Sequence, residues 1–169
     1  MLLSGLLSKI LPHLPGCHDD LAVSALRDAG RTFARESDII TETVTVDKDA
    51  LDFNHTYLPE AAQDDRLAPL HFLYSKTNAA DRKKADVTYS CLPLADTDYF
   101  PDGTGAKYSE AIVSQALFRL MDMPGKPWSN PSLAQYHLAN YRAELGNAIR
   151  DFNTEGRPLT QTVRLMPNF

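Results

Sequence analysis

The stretch that most constrains this chain is MDMPGKPWSN, residues 121–130, where two helical patterns meet across a turn dense in proline and glycine. Upstream, Tyr108, Ile112, Val113, Ala116, Leu117, Leu120 and Met121 recur at spacings of three and four, which predicts a helix over about 106–123 with one apolar face. Lys107, Glu110, Ser114 and Gln115 take the opposite face. Downstream, Leu133, Tyr136, Leu138, Tyr141, Leu145, Ala148, Ile149 and Phe152 predict a second, longer helix over about 131–152, with Asn130 as its N-cap and Pro131 at its first position. Between the two, Pro124 cannot continue a helix, Gly125 tolerates a positive φ, and Pro127 keeps Lys126 extended, so Trp128 is held at the elbow. A connection this short makes the helices antiparallel neighbours.

The rest of the chain has to pack on that hairpin. The opening residues, MLLSGLLSKILPHL, have no basic leader, are interrupted by Lys9 and lack a convincing small-residue cleavage site, so they read as a short amphipathic segment that docks on the core or on a partner. Pro12, Pro15 and Gly16 end it. His18 or Asp19 then caps a helix over about 20–36, whose apolar stripe is Ala22, Leu26, Ala29 and Phe33. Its other side shows Arg27, Arg31 and Arg35 at i, i+4 steps, a row that reads either as a solvated face with Asp28 and Glu36 nearby or as a charged contact with a neighbouring subunit. From Thr41 the period changes to two, predicting a half-exposed strand that stops at Asp47. Further candidate strands cover 53–58, 70–74 and 87–92, with polar loops between them; residues 94–105 read as a loop delivering the chain to the hairpin. The expected fold is therefore α+β and mainly α: a helical bundle built on the antiparallel hairpin, with a small antiparallel β insertion over about 41–92. Residues 1–156 form one domain, and 157–169 an extended C-terminal arm.

Composition narrows function by exclusion. A hydrophobic content of 43%, a charged content of 23% and a mean hydropathy of -0.32 fit an ordinary globular domain, which argues against disorder and membrane insertion. A net charge of -5 argues against a dedicated nucleic-acid binder, though not against a surface past which nucleic acid travels. Cys17 and Cys91 fit no metal spacing or disulfide framework and read as plain thiols. His13, His18, His55, His71 and His137 form no HExxH or zinc-finger pattern and read as structural or exposed; there is no GxSxG elbow, and Gly103-Thr104-Gly105 lacks the rest of a P-loop or dinucleotide fingerprint. No catalytic residue, cofactor or metal is expected. The acid pairs Asp64-Asp65 and Asp96-Asp98 read as solvated loop carboxylates, and Arg82, Lys83 and Lys84 as a short loop cluster.

LPHLPGCHDDLAVSALRDAGRTFARES, residues 11–37, and EAIVSQALFRLMDMPGKPWSNPSLAQYHLANYRAELGNAIR, residues 110–150, resemble the opening and closing helices of the tailed-bacteriophage head-to-tail adaptor (connector) family. The resemblance is most specific at Leu14-Pro15-Gly16-Cys17, from Ala25 to Phe33, and across residues 123–128; residues 59–86 are short for the pattern, and Gly103-Thr104-Gly105 replaces an aromatic lead into the hairpin. It implies a non-enzymatic virion protein, made in the host cytoplasm and placed at the head-to-tail interface. Twelve copies would form a ring beneath the portal protein, extend the channel for viral dsDNA without sequence-specific binding, and carry a tail-side nozzle, stopper or tube protein. No membrane partner is implied. On that reading the arm contacts the portal through Leu159, Val163, Leu165 and Phe169 as apolar anchors and Arg157 and Arg164 as charged ones, and Arg27, Arg31 and Arg35 contact the next subunit. The alternatives are a small intracellular hydrolase or lyase using a histidine, and a generic helical interaction domain.

Overall fold

A computed structural model describes residues 1–51 and 57–155. The fold is α+β, with helices over about half of the described residues and a three-stranded antiparallel sheet. The opening segment winds through tight helical turns at Leu3–Leu6, α1 (Leu7–Ile10) and Leu11–His13, then the chain runs α2 (Asp19–Ser37), β1 (Thr41–Asp47), β2 (Leu67–Thr77), β3 (Lys84–Pro93), α3 (Asp102–Lys107), α4 (Ser109–Met121) and α5 (Pro131–Glu155).

The elbow forms as its residues dictate. Gly125 takes φ +73°, the Leu133 N–H donates to Asn130 Oδ1 at 3.1 Å, and the Asn130 N–H donates to the Met121 carbonyl at 2.9 Å, tying the end of α4 to the start of α5. Trp128 is buried there in the core cluster. The same logic sets α2, whose stripe Ala22, Leu26, Ala29 and Phe33 is fully buried. His18 stands at its N-cap without a side-chain bond, Asp19 and Asp20 occupy its first turn, and Asp38 closes it in the left-handed region at φ 53°. Asp is among the few residues that tolerate that conformation.

The structure departs from the sequence reading in four places. The expected helix over 106–123 is two: α3 begins at Asp102, inside the presumed loop, and Tyr108, at φ -112° and ψ 21°, breaks it from α4. The break directs the Tyr108 ring towards Phe33, 5.3 Å between centroids, and its hydroxyl to Asp151 on α5 at 2.6 Å. Ser114 and Gln115, expected on a polar face, are buried, because α4 is flanked by α1, α2 and α5. On α5 the buried line runs through Ala134, His137, Tyr141 and Ala148, while Tyr136 and Ile149 are exposed; small residues on this line let α4 and α5 approach closely. Finally, β2 takes in Leu67, Ala68 and Pro69, read as loop: β2 is an outer strand with a register shift between Pro69 and His71, and there a proline costs the sheet no ladder bond. The candidate strand at 53–58 falls mostly outside the described residues.

The sheet order is β1-β3-β2, so β3 lies in the middle. Val87, Tyr89 and Cys91 on one face of β3 are fully buried, and β3 packs against α2. Thr88 and Ser90 on its other face pair with Thr43 Oγ1 at 2.9 Å and His71 Nδ1 at 3.2 Å. β1 is half exposed, as its alternation predicts. The opening segment docks on the core: Leu3, Leu6, Ile10 and Leu14 are buried, and the Leu3 and Phe100 N–H groups donate to the carbonyls of Asp98 and Met1. Both cysteines are unpaired, Cys91 buried and Cys17 half-buried.

The elbow is testable by chain stability. A Cβ at residue 125 would meet nothing within 4 Å, so Gly125→Ala carries only the conformational cost of the left-handed region, roughly 1–2 kcal/mol. Asn130→Ala, which removes the cap, should cost about 1 kcal/mol. Urea unfolding of both variants should show these losses without change in helical content; a neutral Gly125→Ala would contradict the elbow geometry.

Candidate functional site

The Asn130 cap fixes the phase of α5, and that phase puts His137 on the buried line between Ala134 and Tyr141, facing the other helices. Separately, Pro12 helps shape the tight turn Leu11–His13, and buried Leu14 anchors the chain just beyond it. The two arrangements bring His13 and His137 together, with ring centroids 6.2 Å apart and planes at 71°. They line a groove of about 500 Å³ between the opening segment, α4 and α5. Pro12 and Val113 supply apolar lining; Ser114, Tyr136 and Asn140 supply polar groups. Lys9 and Glu110 also line it and are ion-paired to each other.

His137 is the unusual member. It is 8% exposed, and neither ring nitrogen has a hydrogen-bond partner among the described residues. Burial, followed by the neighbouring His13, holds its pKa below the ordinary imidazole value, so near neutrality it is an uncharged ring with an available lone pair. Sequence pattern missed the pair, since the two histidines lie on different elements. Only the one-turn proximity of His137 to Ala134 and Tyr141 hinted that it would face inward.

The arginine row sits on α2 as expected. Arg27 and Arg31 are half-buried and Arg35 is exposed. None forms an ion pair with a described residue, and Arg27 Nε is buried without a hydrogen-bond partner among them. The acids read as their neighbours turn elsewhere: Asp28 lies 3.5 Å from Arg119 on α4, and Glu36 accepts a 2.5 Å bond from the Tyr141 hydroxyl on α5. Burial, then that carboxylate, pushes the Tyr141 hydroxyl well above its usual pKa. The expected portal contacts Arg157, Leu159, Val163, Arg164, Leu165 and Phe169 lie outside the described residues.

Among the described residues no helix is long and apolar enough to cross a membrane. No family model matches the chain, and no curated protein matches it significantly.

The burial of His137 has a pH consequence. Its imidazole binds a proton less readily folded than unfolded, where the pKa is about 6.5. The unfolded chain then takes up more protons below that pH, so the stability linked to this group is complete above about 6.5 and declines as the solution is acidified. Urea midpoints measured from pH 7.5 to 5 should fall more for the natural chain than for His137→Phe; parallel profiles would exclude His137 as a contributor.

Proposed function

We propose that this chain is a non-enzymatic head-to-tail adaptor of a tailed bacteriophage, one copy of a twelve-membered ring under the portal. The observation that supports this most is that the two stretches carrying the family resemblance, far apart in sequence, pack as one helical body. α2 lies against α4 and α5, with Arg119 donating to Thr32 Oγ1 at 2.9 Å and Tyr141 to Glu36. A ring needs heterologous contacts between identical subunits, each joining two different patches. The half-buried arginines of α2, whose acidic neighbours are engaged inside their own subunit, suit one such patch. The arm, residues 157–169, carries the portal contact, and the tail-side face takes a nozzle, stopper or tube protein. Twelve copies of a chain of net charge -5 give a channel that repels phosphate, past which DNA slides.

A second reading, a hydrolase or lyase working through a histidine, draws support from the groove, where His137 and Ser114 share one lining. On that reading the protein stays a monomer and His137→Gln removes its turnover.

Electron microscopy of the purified protein with and without portal separates the two. The adaptor predicts rings or portal-bound assemblies; a monomer that never joins the portal would count heavily against it. Deleting residues 157–169 should leave the helical content intact and weaken assembly on the portal, and undiminished assembly would show that the arm is not the contact.

A further inference from the structure

We propose that the arginine face of α2 docks on a second copy of this chain, at an acid-rimmed patch centred on Leu2 and Tyr99. Arg27, Arg31 and Arg35 follow one another at four-residue steps, about 6 Å apart along the helix axis. None has an ion pair with a described residue; Asp28 lies instead 3.5 Å from Arg119, and Glu36 accepts from the Tyr141 hydroxyl. Like charges at this spacing repel, so acids brought against the row relieve a cost that the isolated chain bears.

The matching patch lies where the opening segment meets the stretch between β3 and α3. Leu2 pairs with Tyr99 in an antiparallel bridge, which puts both side chains on one face. Leu2 is 62% exposed, more than any other large apolar side chain among the described residues. The Arg66 guanidinium stands 3.6 Å from the centroid of the Tyr99 ring, and the Leu94 N–H donates to the Arg66 carbonyl, so residues 64–66 and 94–99 share this surface. Asp64 is engaged by Arg66, and Asp102 by the Met1 ammonium. Asp65 and Asp96, both exposed, and Asp98, which accepts from the Ser4 N–H, have no ion pair with a described residue. An exposed apolar centre with a charged rim is the composition of a protein contact. Neither the row nor the patch can meet its own kind without repulsion, so the charges select the row of one copy for the patch of the next. Such a contact joins unlike surfaces and leaves each copy with one of each to offer, so addition continues until a ring closes. It rests on the adaptor reading for that closure alone.

Sedimentation velocity of the full chain at low salt tests the contact with two charge-reversed variants, Arg31→Glu/Arg35→Glu and Asp65→Lys/Asp96→Lys. The natural chain should self-associate, and added salt should disperse it, since screening weakens exposed charges without any substitution. Each variant alone should associate at least about tenfold more weakly, because like charges then face each other across the contact. Both should keep the natural Tm and circular dichroism. An equal mixture of the two should associate again, since the reversed row of one fits the reversed patch of the other and their natural surfaces fit as before. Leu2→Ser should weaken association without changing the Tm. Variants that associate as the natural chain does, or a mixture of folded variants that stays dispersed, would overturn the contact. A natural chain that joins the portal yet never self-associates would also overturn it while leaving the adaptor reading in place; association with rescue on mixing, but no binding to portal, would do the reverse.

Discussion

The structure depends on the burial of α4 around most of its circumference. Ile112, Ala116, Leu117, Leu120 and Met121 are almost completely excluded from water, and Val113, Ser114 and Gln115 nearly so. An amphipathic helix needs one cover; this one has α5 on one side, α2 on another and α1 on a third. The apolar area removed from water drives the arrangement. Burying Ser114 and Gln115 works against it, and Gln115 Oε1 has no hydrogen-bond partner among the described residues, a loss of about 1–3 kcal/mol where water is absent. The surrounding elements are thus held by a shared centre, and the elbow fixes the direction of the longest of them.

Packing around that centre also sorts the charges. Glu36 accepts from the Tyr141 hydroxyl, Asp28 pairs with Arg119, and Asp151 meets Lys107 and Tyr108, whose ammonium and hydroxyl lower its pKa. Bonds between a carboxylate and a partly buried hydroxyl are stronger than exposed ion pairs and carry direction. They lock α2 and α3 to the hairpin and leave Arg27, Arg31 and Arg35 of α2 without an ion pair among the described residues.

The sheet makes a different contribution. β3 is buried, while β1 and β2 are its outer strands; the flank of β1 is partly met by Gln63 and Asp64, whose N–H groups donate to Glu42. β2 carries a proline and two register shifts, features that discourage uncontrolled pairing along an outer strand. The insertion is therefore joined to the helical body mainly through β3 and α2.

Local chemistry by itself determined much of this protein. The elbow, the Asn130 cap, the stripe of α2 and the alternation of β1 follow from residue types at fixed spacings, because each rests on contacts within a few residues. What only the tertiary structure decided are the features in which two distant segments share one environment. Ser114 and Gln115 read as a polar face because periodicity cannot tell how many sides of a helix are covered. The break at Tyr108 goes with its ring packing against Phe33 and its hydroxyl bonding to Asp151, both distant in sequence, and Pro69 entered a strand because that strand is at an edge. The meeting of His13 with His137 depended on the phase of α5 and on where the opening segment docks. Spacing in sequence carries no information about either, since both are set by which surfaces exclude water together.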